Sequence, residues 1–141
     1  MTDRLGVLVL DENRVLATTD NCPTCRDVPV YGGDVHADAG RLALRDRTHA
    51  SVAWYSLCNE MGCTDGTLLK NDTAVQCQLA IHAVDRSRAI TGNQAWQGPN
   101  AVAPNTPIAK MYDVMGMSHQ QAAQVETWHA AEPEKLVVMT G

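Results

Sequence analysis

Phenylalanine is absent from the 141 residues, and tryptophan and tyrosine bring the aromatic share to only 4 %. Aromatic rings supply much of the buried area of an ordinary core. A chain this poor in them must fill its interior with aliphatic and sulfur side chains, and it reads as a piece of something larger, although its length suits one ordinary domain. Positive charge is in deficit as well. Eleven Lys and Arg stand against 16 Asp and Glu, a net charge of −5, which argues against a nucleic-acid surface. No apolar run approaches ~18 residues, so no membrane-spanning helix is expected. The opening Met1-Thr-Asp-Arg-Leu-Gly6 has a charged pair and no apolar stretch after it, unlike a secretory leader. The cytoplasm is the favoured compartment. Five cysteines, an odd number, make no tidy disulfide framework. Cys22-Pro-Thr-Cys25 is a CxxC, and with Cys58 and Cys63 a zinc site can be drawn, but there is no second CxxC. Reduced thiols, with no metal and no cofactor, are the expectation.

What is present is organised around residues 51–62. Ser51 to Leu57 contains no Gly or Pro and is rich in β-branched, aromatic and apolar residues. It is too short for a buried helix and predicts a strand covered on both faces. The run meets Cys58-Asn59-Glu60 and breaks at Gly62. An amide and a carboxylate at the carboxyl end of a buried strand stand where α/β folds place their chemistry.

The rest of the chain alternates. Residues 5–10 predict a strand that ends in Asp11-Glu12-Asn13, and the Pro- and Gly-punctuated stretch 15–40 predicts a long loop. Residues 40–48 read as a helix closed by Arg45 and Arg47. A second helix is expected near 70–86, burying Val75, Leu79 and Ala83. Residues 89–93 predict a short strand, 93–107 a polar loop containing Trp96, and 110–117 a further strand ending in Ser118-His119. Residues 120–131 predict a helix with Trp128 in the core, and 135–140 a last strand. Such alternation implies parallel strands joined by right-handed crossovers.

Several of these stretches resemble glycoside hydrolase family 2, the β-galactosidase and β-glucuronidase family. Asn59-Glu60 with the following Gly62 is similar to the family's acid/base strand end, and His49-Ala50-Ser51-Val52 to its His-Pro-Ser-Val lead-in. Asp3-Arg4-Leu5-Gly6 and Asp11-Glu12 resemble the strand before it. Asp85-Arg86-Ser87-Arg88-Ala89-Ile90-Thr91 and Asp113-Val114-Met115-Gly116 resemble later segments. The resemblance implies an α/β fold, a partial (β/α)8 barrel of about five parallel strands, corresponding to the family's third to seventh. Residues 1–141 would form one incomplete catalytic-barrel domain, since a whole barrel takes ~200 residues or more.

The resemblance also implies a retaining β-glycosidase acting on a β-linked glycoside. Glu60 would be the acid/base and Asn59 would contact the sugar. Asp11, Asn13, Asn93, Trp96 and His119 would be further substrate contacts. Asn13 is one residue, not two, after Glu12, and His119 stands where the family has a tyrosine. The family's nucleophile is a Glu after a run similar to Leu136-Val-Val-Met-Thr140, and here Gly141 takes that place. Retaining hydrolysis needs two carboxyl groups, so the chain alone is expected to be inactive, with the remainder of a split or truncated barrel as a partner. A non-catalytic sugar-binding or partner-binding remnant stays open as the alternative.

Overall fold

The computed structural model describes residues 1–13, 35–59, 68–95, 107–118 and 122–139. Its elements are α1 (Thr2–Leu5), β1 (Val9–Glu12), α2 (Val35–Asp46), β2 (Val52–Asn59), α3 (Leu68–His82), β3 (Ala89–Ala95), α4 (Pro107–Met111), β4 (Val114–Ser118), α5 (Ala122–Ala131) and β5 (Leu136–Met139). The five strands form one sheet in the order β1-β2-β3-β4-β5, and every neighbouring pair is parallel. Helices lie between the strands. This is the predicted α/β architecture, a part of a (β/α)8 barrel.

Alternation along the strands divides the sheet into two faces. Tyr55, Leu57, Ile90, Met115 and Met117 point toward the helices and join Ala39, Ala43, Ala74, Cys77, Ile81, Ala109, Tyr112 and Trp128 in one buried cluster. Two tyrosines, two methionines and one tryptophan thus supply the bulk that the missing phenylalanines would have brought. Tyr112 finds room because β3 has Gly92 beneath it. A Cβ there would stand 2.5 Å from the Tyr112 hydroxyl oxygen.

The element boundaries depart from expectation in several places. The apolar run 5–10 is not one strand. Its first residue closes α1, which ends on Gly6 in the left-handed conformation, φ 66°, so β1 starts only at Val9. Gly40 lies inside α2 rather than at its start, because α2 and α3 approach closely there. A Cβ on Gly40 would meet the Ala80 carbonyl oxygen at 3.4 Å. Lys110 and Met111 belong to the short α4 and not to β4. In α3 the inward face is Ala74, Cys77 and Ile81, while Val75 and Leu79 are 38 % and 54 % exposed. In α5 Trp128 is buried as predicted, but Ala122, Ala123 and His129 are exposed.

The amino end of the sheet is tied by polar clips. The Tyr55 hydroxyl donates to Asp85 at 2.9 Å, and Ser87 donates to the same carboxylate through its N–H and its hydroxyl. Arg88 donates to Asp85 and also to the carbonyls of Val52 and His49. Burial opposes the charge on Asp85, yet these donors outweigh it and hold the carboxyl well below the usual carboxylate range. Burial and the Asp85 charge push the Tyr55 hydroxyl up to about 12. A second clip fastens α1. Asp3 accepts from the Ser51 N–H and pairs with His49 Nδ1, both at 2.7 Å, and these bonds hold its carboxyl well below the usual range. Two of the family-like stretches, around Asp3 and around His49, therefore meet in space, and a third, Asp85 to Thr91, is a structural clamp.

Candidate active site

Parallel strands share one carboxyl edge, and the face turned away from the helices carries polar residues near that edge. Glu12, Ser56 and Thr91 are register partners across β1, β2 and β3. Asn93 pairs with Gly116 on β4, and Ala95 with Ser118. The register shifts by one residue between Ser56 and Asn59, which brings Asn59 opposite Asn93. A single-residue shift exchanges the faces of a strand, so this irregularity decides which residue at the end of β2 stands level with Asn93.

The side chains form a network across three strands. Glu12 Oε2 accepts from the Ser56 hydroxyl at 2.8 Å and from Asn93 Nδ2 at 3.0 Å. Ser56 and Asn93 are buried, at 0 % and 6 % exposure, whereas Glu12 is exposed. Asn93 Oδ1 lies over Gly116, where a Cβ would stand 2.6 Å from it and 2.9 Å from Thr91 Oγ1. Gly116 is therefore the residue that lets two polar side chains of β3 lie flat against β4. Asn13 follows β1, is buried, and donates its backbone N–H to the Ser56 carbonyl at 2.9 Å.

Asp11 is not part of this network. Being one residue before Glu12, it lies on the other face of β1, level with Tyr55. There it faces Asp46 at the end of α2 across a cavity of about 230 Å³ that His49 and Ser51 also line. Burial, and then the Asp46 carboxyl, push Asp11 up to about 6. Arg45 donates to Asp46 and keeps that carboxyl low.

Of the residues named from sequence, the structure brings Asn59 and Asn93 to one register position and turns Asp11 to the helix side. Glu60, Trp96, His119 and Gly141 lie outside the described residues, as do Cys22, Cys25 and Cys63. Ser56, Thr91 and Gly116 were missed as site residues. The signal was alternation: Tyr55-Ser56-Leu57 and Ile90-Thr91-Gly92-Asn93 place a polar residue at every second position. Among the described residues no group of three His, Cys, Asp or Glu is arranged to hold a metal ion, and no helix is long and apolar enough to cross a membrane.

No protein-family model and no curated protein sequence matches the chain. Solved structures do. A glycosyl hydrolase family 2 member from Bacteroides cellulosilyticus superimposes with a TM-score of 0.68 and 21 % identity, over 96 % of this chain and 17 % of that one. A β-glucuronidase from an uncultured Clostridium gives 0.65 and 18 %, over 97 % and 26 %. An FMN-binding β-glucuronidase from Faecalibacterium prausnitzii gives 0.63 and 19 %, over 77 % and 18 %. The chain thus has the fold of one portion of these proteins and spans about a quarter of their length or less.

Proposed function

We propose that the chain is the part of a retaining β-glycosidase barrel that carries the acid/base, with a β-linked glycoside as substrate. One observation supports this most. The strand that ends in Asn59, directly before Glu60, meets Asn93 and the Glu12 network at the carboxyl edge of a parallel sheet, in a fold similar to that of family 2 glycosyl hydrolases. Barrel enzymes place their catalysis at this edge.

In this reading Glu60 protonates the glycosidic oxygen and then activates water, and Asn59 donates to the sugar. A negative second carboxylate and partial burial would keep Glu60 protonated until it acts. In the family that second group follows a run similar to Leu136–Thr140, where this chain has Gly141. The 141-residue chain by itself is expected to give no turnover of 4-nitrophenyl β-galactoside or β-glucuronide at an enzyme rate. Within an eight-stranded barrel that also carries Gly141→Glu, turnover should appear. There Glu60→Gln should lower it by roughly 10²–10⁴-fold for substrates with poor leaving groups. Unchanged turnover in that variant would refute the role of Glu60. A completed barrel that is inert but still binds glycosides would instead favour a sugar-binding remnant.

A further inference from the structure

On the inner face of the sheet every described polar side chain but one is buried. Ser56, Thr91, Asn93 and Ser118 are between 0 % and 6 % exposed, while Glu12 reaches solvent. Among the described residues its carboxylate is held on one side only. Both donors, Ser56 and Asn93, fall on Oε2. Asn93 donates from Nδ2 to Glu12, and its Oδ1 is buried over Gly116 with no hydrogen-bond partner among the described residues.

We infer that Glu12 is a ligand-facing hydrogen-bond acceptor of the site, preorganised by Ser56 and Asn93 as its positioning residues, and that the group it accepts from is a hydroxyl of a polyol such as a sugar. The inference rests on the glycosidase reading and adds to it a residue on the neighbouring strand. The physical argument is one of cost. A glutamate has several rotatable bonds, and fixing it on binding costs entropy. Here two donors from two strands have fixed it in advance. Hydrogen bonds to an ionised acceptor are the stronger kind, so a carboxylate turned outward and already oriented is a better acceptor than the buried amide beside it. No strand of the sheet carries a lysine or arginine, so among the described strands no cation competes for that oxygen.

Glu12→Gln is the informative change. To keep Ser56 and Asn93 as donors, the new amide must place its oxygen inward, which turns its NH2 outward. An acceptor facing the ligand becomes a donor while the fold keeps its internal bonds. The experiment titrates methyl β-galactoside and methyl β-glucoside into the 15N-labelled chain and follows the amides of Glu12, Asn59 and Asn93. The expected result is saturable shifts in the parent chain and an affinity at least tenfold weaker in Glu12→Gln, with an otherwise unchanged spectrum. Ser56→Ala should weaken binding several-fold, and Ser56→Thr, which keeps the hydroxyl, should restore it. Equal affinity in Glu12→Gln would overturn the inference and leave the glycoside reading intact. Restoration failing in Ser56→Thr would overturn the positioning role. If neither glycoside shifts any of these amides in the parent chain, the glycoside reading fails for this chain, and the role of Glu12 fails with it.

Discussion

Replacing Asp11 by Asn should stabilise the chain at neutral pH and do progressively less as the pH falls. In the fold Asp11 is half-buried against Asp46, and its carboxyl is pushed from the ordinary 3.8 up to about 6. A raised folded value means that the folded chain holds a proton which the unfolded chain has released. The stabilising contribution is therefore complete below 3.8 and is lost as pH rises through about 6. At 1.36 kcal/mol per pH unit the gap corresponds to about 3 kcal/mol. Asp11 keeps a good part of its surface in water, and solvent screening reduces the expected effect to ~1 kcal/mol. Asparagine has the size of the protonated acid, and it does not ionise. Urea unfolding followed by tryptophan fluorescence at pH 4 and pH 7.5 would measure both proteins. The stability difference in favour of Asp11→Asn should widen by ~1 kcal/mol between the two. Comparing the proteins pairwise cancels the opposite trend from Asp3 and Asp85, whose lowered carboxyls strengthen the fold as pH rises out of the acid range. A difference that stays constant or narrows would refute the retained-proton reasoning.

Three further outcomes are expected. Gly116→Ala places a Cβ 2.6 Å from Asn93 Oδ1 and should cost about 1–3 kcal/mol in urea unfolding, with part of the loss recovered by adding Asn93→Ala. Asp85→Asn leaves Arg88, 16 % exposed, without its buried counter-charge and should cost about 3 kcal/mol; Tyr55→Phe removes one donor of the same clip and should cost only about 1 kcal/mol. Leu136 and Met139 on the edge strand β5 are 57 % and 50 % exposed. Open parallel edges invite association, so Met139→Lys should shift the chain toward monomer in analytical ultracentrifugation, and a parent chain already monomeric at high concentration would refute this.

The sequence alone determined the strand–helix alternation and, through it, the parallel sheet. Local patterning is enough for that, since short apolar runs bounded by Gly, Pro and polar residues have few other solutions. It also placed Asn59 at a strand end, because a polar residue closing an apolar run is visible in the sequence itself, while β3 runs two residues past Asn93 to Ala95. What it left open was which face each residue takes. Asp11 and Glu12 are chemically alike and adjacent, and nothing local separates them. The pairing of β1 with β2 does, by setting Glu12 beside Ser56 and Asp11 beside Tyr55. The one-residue register shift that carries Asn59 opposite Asn93 is likewise a property of two strands and not of either one. Long-range contacts also redrew α2 and α3: Gly40 reads as a helix breaker until Ala80 lies against it, and Leu79 reads as core until Cys77 and Ile81 prove to be the residues facing the sheet. Faces and registers are fixed by which strand lies beside which, and that is decided by the packing of segments tens of residues apart, where no single stretch of sequence carries the information.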